Sequence, residues 1–73
     1  MRKASRLFEI IQILRLARRP VTAAEIAAQL EVTPRSIYRD IAELQAMRVP
    51  VEGGRGIGYI LRPGFTLPPL MLT

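Results

Sequence analysis

Apolar residues recur every three or four positions in three separate stretches of the chain. This spacing places them on one face of an α-helix, and it predicts helices over residues 5–19, 23–30 and 34–47. The predicted inward faces are Leu7, Ile10, Ile11, Leu14 and Ala17 in the first helix, Ile26, Ala27 and Leu30 in the second, and Ile37, Ile41 and Leu44 in the third, with Met47 at the edge of that stripe. Three short amphipathic helices are therefore expected around one core.

The starts of the second and third helices carry clear capping signals. Thr22 followed three residues later by Glu25 is a capping box, in which each side chain accepts from a backbone amide of the other residue. Thr33 is a good N-cap, and Pro34 suits the first helical position because its missing amide proton costs nothing there. Glu31-Val32 is predicted to be a tight turn between the two helices.

The first helix is expected to be capped by Ser5 and ended by Pro20, with Arg18-Arg19 in its last turn. Ile13 and Leu16 do not fit its apolar face. Scattered exposed apolar residues are normal on a protein surface. The alternative is that the C-terminal tail or another subunit covers them.

The segment after the third helix predicts a β-hairpin. Two β-prone runs, residues 48–52 and 59–62, flank the glycine-rich stretch Gly53-Gly54-Arg55-Gly56-Ile57-Gly58. Ile57, Tyr59 and Leu61 alternate, so they are expected to form an apolar face that closes the core. The stretch lacks the Lys-Ser/Thr and the following helix of a phosphate-binding loop. Arg55 is therefore read as the exposed tip of a hairpin.

Two capped helices joined by about three residues form a helix-turn-helix, and a hairpin beside it acts as a wing. The predicted fold class is α+β: a winged helix-turn-helix of three helices with a C-terminal β-hairpin, over residues 1–62. Residues 63–73 contain three of the six prolines and read as a linker or tail. Its apolar residues Leu67, Leu70, Met71 and Leu72 are expected to need a surface to cover.

The outward face of the third helix indicates a DNA contact. A 100° spacing places Arg35, Arg39, Ala42 and Ala46 opposite the core stripe. The second helix of a helix-turn-helix enters the major groove, and its N-terminal residues reach base edges. Arginine forks suit guanine O6 and N7, whereas alanines leave clearance in a groove. A solvated charged face is the alternative interpretation of the same pattern.

Roles follow for the flanking residues on the same hypothesis. Ser36 and Tyr38 are expected to contact phosphate or thymine methyl groups, with partial packing against the wing as the alternative for Tyr38. Thr33 can donate a hydrogen bond to a phosphate, while Thr22 and the amides of the second helix are expected to bind the DNA backbone on one side. Arg55 is expected to contact phosphates or an adjacent minor groove on the other.

Composition supports a polyanion partner. The 73 residues include 11 basic and 6 acidic side chains, a net charge of +5 and a pI of about 11.1, and arginine dominates the basic residues. Such a balance in a small domain favours nucleic acid, although a merely basic surface has the same composition. The partner expected here is double-stranded DNA.

The composition also argues against other classes. Cys and His are absent, which removes disulfides, thiolate chemistry, zinc fingers and imidazole bases. No cofactor, no metal and no enzymatic activity are expected, because Asp40 and Glu43 share a helix edge without a cleft or a base. Asp40 is instead expected to pair with an arginine of the first helix. No signal peptide or membrane-spanning run is visible, so a cytoplasmic location is expected.

A family resemblance rests on an ordered series of motifs: Arg35-Ser36-Ile37-Tyr38-Arg39-Asp40-Ile41, Leu44, Val49-Pro50-Val51, and Gly56-Ile57-Gly58-Tyr59-Ile60-Leu61 followed by Pro63-Gly64-Phe65. Together they resemble the N-terminal winged helix-turn-helix of bacterial transcription regulators that carry a WYL domain, often described as DeoR-like or YafY-like. The resemblance implies sequence-specific DNA binding, a homodimer in the full-length protein, and a sensing domain after the Pro-rich linker. It places the recognition helix at residues 33–47 and the wing at residues 52–61.

One position departs from that resemblance. A glycine is usual just before the Val49-Pro50-Val51 strand, and Arg48 stands there. A glycine after a helix supports a left-handed turn, so Arg48 must either accept that strain or exit differently. The second functional hypothesis is a winged-helix protein-interaction module that uses the apolar tail and the first helix, with the basic face incidental.

Overall fold

The computed structural model describes residues 3–63, with side chains from Ser5 onward. Helix α1 spans Lys3–Leu16, α2 spans Ala23–Leu30 and α3 spans Pro34–Ala46. Strands β1, Val51–Gly54, and β2, Gly58–Leu61, form an antiparallel pair in which Val51 faces Leu61 and Gly54 faces Gly58. The architecture is the predicted α+β winged helix-turn-helix: three helices followed by a two-stranded hairpin, which we call the wing.

The core lies where the apolar faces of the three helices meet the wing. Its largest fully buried apolar side chains are Ile10 and Ile11 of α1, Ile26 of α2, and Ile37 and Leu44 of α3. Around them pack Leu14, Val21, Ala23, Ala27, Ile41, Val49, Val51 and Tyr59. The periodicity of the helices therefore placed their inward faces correctly, because each face buries apolar area against the other two helices.

Helix α1 ends three residues earlier than the sequence predicted. The amide of Ala17 donates to Leu14 O at 3.3 Å, a tight final turn, and the chain bends at Arg18 and Arg19 before Pro20. The expectation that these arginines occupy the last helical turn is wrong, and Arg15 is the basic residue there. Pro20 keeps the residue before it, Arg19, out of the helical region, which accounts for the last of these three residues. Ser5 is not an N-cap either, because Lys3 is already helical.

The link between α1 and α2 has a role that the sequence did not reveal. Val21 forms an antiparallel bridge with Tyr59, in which the Val21 amide donates to Tyr59 O at 3.0 Å and the Tyr59 amide donates to Val21 O at 2.8 Å. This one-residue extension of the sheet fastens the wing to the helical body. Gly58 permits the approach, since a Cβ there would lie 2.8 Å from Pro20 Cβ.

Two predictions about the end of α3 and the wing have clear outcomes. Arg48 adopts φ 68°, and the hydrogen bonds from Arg48 N to Gln45 O and from Val49 N to Leu44 O, each 3.0 Å, form the glycine-type helix exit. Arg48 thus accepts the strained conformation. Ile57 is 73% exposed, so the expectation that it closes the core is wrong: it lies in the turn, outside the alternation of β2.

Three apolar residues that lie off or at the edge of the predicted inward faces differ in their exposure. Ile13 is half-buried and packs against the core, whereas Leu16 is 78% exposed at the end of α1. Met47, expected at the edge of the core stripe, is half-exposed at the C-cap of α3. The predicted linker begins at Pro63, and its apolar residues from 64 to 73 lie outside the described part of the chain.

Candidate nucleic-acid interface

The N-terminus of α3 is built as the sequence predicts. Thr33 is the N-cap, with φ −83° and ψ 152°, and its Oγ1 accepts from the Ser36 amide at 3.2 Å. Pro34 occupies the first turn, and Ser36 Oγ lies 3.2 Å from Thr33 Oγ1. The cap satisfies one of the free amides that a helix start leaves, and the others lie at the positive end of the helix dipole. This end of α3 therefore favours an anion.

The two faces of α3 differ sharply. Arg35, Arg39, Ala42 and Ala46 are exposed, while Ser36 and Tyr38 at the edges are half-buried. The opposite face holds the buried stripe Ile37, Ile41 and Leu44. The outer face therefore presents two guanidinium groups in its first half and small side chains in its second, a shape that fits a negatively charged groove.

Asp40 is the one charged residue among the buried side chains of the described chain, at 1% exposure. Both of its carboxylate oxygens accept from Arg6 of α1: Arg6 Nε donates to Oδ2, and Arg6 Nη2 donates to Oδ1 at 3.1 Å. The hydrogen bond to Asp40 raises the pKa of Arg6 above its ordinary value, with burial acting in the opposite direction. The expected pairing of Asp40 with an arginine of the first helix is confirmed, and it anchors α3 to α1.

The capping box at the start of α2 is confirmed. The Glu25 amide donates to Thr22 Oγ1 and the Thr22 amide donates to Glu25 Oε1, each at 3.1 Å. Arg19 Nη2 adds a contact of 3.2 Å to Glu25 Oε2. Together these contacts, led by the hydrogen bonds from Thr22, lower the pKa of Glu25. Thr22 is half-buried, and its hydroxyl oxygen already accepts the hydrogen bond of the cap. The start of α2 therefore offers mainly its backbone amides to a partner.

The wing reaches back to α3 through an aromatic contact. The rings of Tyr38 and Tyr59 meet edge to face, with centroids 6.4 Å apart and planes at 63°. The Arg55 guanidinium carbon lies 4.4 Å from the centroid of the Tyr38 ring. Burial raises the pKa of the Tyr59 phenol, and Arg55 acts in the opposite direction. Tyr38 therefore packs against the wing, which was the alternative interpretation for this residue.

A second contact joins the wing to α3 at its other end. Gln45 Nε2 donates to Val51 O at 3.0 Å, and this bond connects the last turn of α3 to the first residue of β1. No sequence pattern predicts this bond, since glutamine on a helix surface usually faces water. The contacts of Arg55 with Tyr38 and of Gln45 with Val51 thus join the wing to α3 at two places.

The predicted site residues fall into two groups. Thr33, Arg35, Ser36, Tyr38 and Arg39 lie along the first half of α3, and Arg55 is brought to them through Tyr38. Thr22 lies apart from these, at the start of α2. The sequence did not predict that Arg6 would pair with Asp40 or that Gln45 would bond to Val51. Only the pairing of Asp40 with an α1 arginine could have indicated Arg6 in advance.

Within residues 3–63 no group of His, Cys, Asp and Glu side chains has the arrangement of a metal site. Over the same residues, no helix has the length and apolar character needed to cross a membrane.

Comparison with known proteins agrees with this fold. The family described as HTH domain matches residues 6–60, which cover most of α1, all of α2 and α3, and nearly the whole wing. The chain belongs to this helix-turn-helix family. A relative, the probable licABCH operon regulator of Bacillus subtilis (strain 168), is 44% identical over 61 residues.

That alignment covers 78% of this chain and 10% of the relative, so the chain spans about a tenth of the relative's length. Membership of the helix-turn-helix family supports DNA binding as the class of function.

Proposed function

We propose that residues 1–62 are the DNA-binding domain of a bacterial transcriptional regulator that binds specific double-stranded sequences. Helix α3, residues 34–47 with its C-cap, would enter the major groove, and residues 52–58 of the wing would lie on the backbone or in the adjacent minor groove. The observation that carries the proposal is the exposed face of α3, where Arg35 and Arg39 stand outward on a helix whose other face is buried.

The proposed roles divide between base reading and positioning. Arg35 and Arg39 contact base edges, with the O6 and N7 atoms of guanine as the preferred partners. Thr33 and Ser36 lie at the positive end of α3 and contact phosphate. The amides at the start of α2, next to Thr22, bind the DNA backbone on one side of α3. Arg55 binds the DNA backbone on the other side.

The wider setting is also a proposal. Residues 63–73 would be a linker toward a C-terminal domain, of the ligand-sensing WYL type that the DeoR-like and YafY-like resemblance implies. The full-length protein would act as a cytoplasmic homodimer. The short share of the regulator relative that this chain covers agrees with a DNA-binding segment of a longer protein. Neither a cofactor nor a metal has a place in this proposal.

The experiment is a salt titration combined with selection from random duplexes. Selection identifies the preferred sequence, and log K for that duplex should then fall with log salt at about −0.9 per phosphate neutralised. Arg35→Ala or Arg39→Ala should flatten the preference at one base position by about 1–3 kcal/mol, whereas a phosphate contact affects all sequences equally. Arg18→Ala, an exposed arginine beyond the end of α1, is the matched control. Absence of binding to any duplex, or binding that ignores salt, would refute the proposal.

The alternative is a protein-interaction module, and one observation favours it. Leu16, 78% exposed, borders a surface groove of about 410 Å³ between the end of α1 and α2. Ile13, Ala17 and Val21 supply its apolar lining. This alternative predicts association that depends on protein concentration and survives high salt, with weak DNA binding that is blind to sequence. Leu16→Ser should abolish that association and leave salt-dependent DNA binding intact.

A further inference from the structure

Three side chains form a stack between the wing and α3. Tyr59 is buried at 7% exposure and is fixed by its two backbone hydrogen bonds to Val21. Tyr38, half-buried on α3, meets Tyr59 edge to face, and Arg55 lies over the Tyr38 ring at 4.4 Å. The buried end of the stack is therefore rigid, and its exposed end is a guanidinium group.

Arg55 lies in the turn of the wing, which is closed by a hydrogen bond from the Ile57 amide to Gly54 O at 3.2 Å. Its two neighbours, Gly54 and Gly56, carry no side chains that could pack against it. Gly56 has φ 77°, a conformation that glycine adopts readily. The guanidinium end of Arg55 is therefore positioned by its contact with the Tyr38 ring and not by neighbouring side chains in the turn.

A stacked guanidinium keeps its hydrogen-bonding capacity. Its planar face contacts the ring, while its N–H donors point outward within the plane. Arg55 is exposed, so these donors are accessible while the ring contact persists. A long arginine side chain otherwise loses much rotamer freedom when it binds. Ordering it beforehand removes part of that cost.

We propose that Tyr38 is a positioning residue, whose ring holds Arg55 ready to contact a DNA phosphate from the wing. The inference rests on the proposed function. It differs from the sequence-based expectation that Tyr38 itself contacts phosphate or a thymine methyl group. It assigns the ring, not the hydroxyl, as the useful part of Tyr38, and it makes the contributions of Tyr38 and Arg55 to DNA affinity interdependent.

The first test uses the free 73-residue chain. Protons on Cδ of Arg55 should show an upfield ring-current shift in NMR spectra. The shift should disappear in Tyr38→Leu, which keeps an apolar contact with Tyr59, and should return in Tyr38→Phe, which restores the ring. An Arg55 side chain with the same chemical shifts in all three proteins would overturn the inference.

The second test is a double-mutant cycle on affinity for short random duplexes at low salt. Tyr38→Leu should weaken binding about two- to fivefold, the size of an exposed cation–π contact, and Tyr38→Phe should restore it. In an Arg55→Ala background the same Tyr38→Leu change should have almost no further effect. In an Arg18→Ala background, which leaves all three side chains of the stack in place, it should retain its full effect.

The outcomes separate this inference from the proposed function. Equal losses from Tyr38→Leu with and without Arg55, or a loss in Tyr38→Phe as large as in Tyr38→Leu, would mean that Tyr38 contacts DNA by itself. Either result overturns the inference while DNA binding by the unmodified chain still supports the proposed function. No binding of the unmodified chain to any duplex would overturn both.

Discussion

The pairing of Arg6 with the buried carboxylate of Asp40 predicts a large effect on the stability of this domain. Asp40 is 1% exposed, and both of its oxygens accept from Arg6. Removal of one partner from a buried ion pair leaves an uncompensated charge and costs about 3–5 kcal/mol. A domain of this size has a total stability of about 4–11 kcal/mol, at roughly 0.05–0.15 kcal/mol per residue. Arg6→Met should therefore remove about a quarter or more of the domain's stability.

The second half of this prediction is a recovery. Replacing both partners by apolar residues removes the desolvation penalty together with the attraction, and such replacements are often neutral or stabilising. Arg6→Met combined with Asp40→Leu should regain most of the loss. The double variant should nevertheless lose sequence preference in DNA binding, because the directional contact that anchors α3 to α1 is gone.

The assay is urea unfolding followed by circular dichroism, with the midpoint and slope measured for each variant. Arg15→Met, an exposed arginine on the same helix, is the matched control and should shift stability by no more than about 0.5 kcal/mol. If Arg6→Met is no more destabilising than Arg15→Met, the reasoning about the buried carboxylate fails. A double variant that is as unstable as the sum of its parts would also refute it.

Three further predictions concern the backbone and the caps. Arg48→Gly should stabilise the domain by about 0.5–1 kcal/mol, since relief of the left-handed strain (about 1–2) exceeds the entropic cost of glycine (about 0.5–1); an equal gain in Arg48→Ala would contradict this. Gly53→Ala should unfold the wing, because its Cβ would lie 2.0 Å from Gly58 O at φ 127°, whereas Gly54→Ala, with open space, should be tolerated. Thermal melts with DNA-affinity measurements distinguish the two, and equal effects would be inconsistent with the geometry. The lowered pKa of Glu25 means that its stabilising contribution is present above the unfolded pKa and is lost as pH falls through the folded pKa; Glu25→Gln should flatten this acid limb of the stability curve, and an unchanged limb would count against the capping box.

The agreement between sequence and structure is strongest where interactions are local. The capping box at Thr22, the N-cap at Thr33 and the inward stripe of α3 were all predicted, because each depends on residues within one or two helical turns. The C-terminal boundary of α1 also depends on nearby residues, but the sequence placed it three residues too late. Apolar periodicity continued through Ala17, but the chain turns before Pro20 and leaves Arg18 and Arg19 outside the helix.

The candidate site shows the same division. The exposure of Arg35 and Arg39 follows from helical geometry, so the sequence predicted it. The placement of Arg55 over Tyr38 joins residues from two elements, and the sequence offered it only as one of two alternatives for Tyr38. For Asp40, the helical pattern predicted the position beside the core, and only the packing of α1 on α3 selected Arg6 as the partner.

By itself the sequence determined the three helices, the N-caps of α2 and α3, the buried faces of the helices and the basic outer face of α3. These depend on the 3.6-residue period and on capping contacts a few residues apart. The tertiary structure alone decided how the wing is held: the bridge from Val21 to Tyr59, the bond from Gln45 to Val51, and the stack of Arg55 on Tyr38. Those contacts join residues of different elements, and no helical or strand period specifies them because they form only once the helices and the wing have packed.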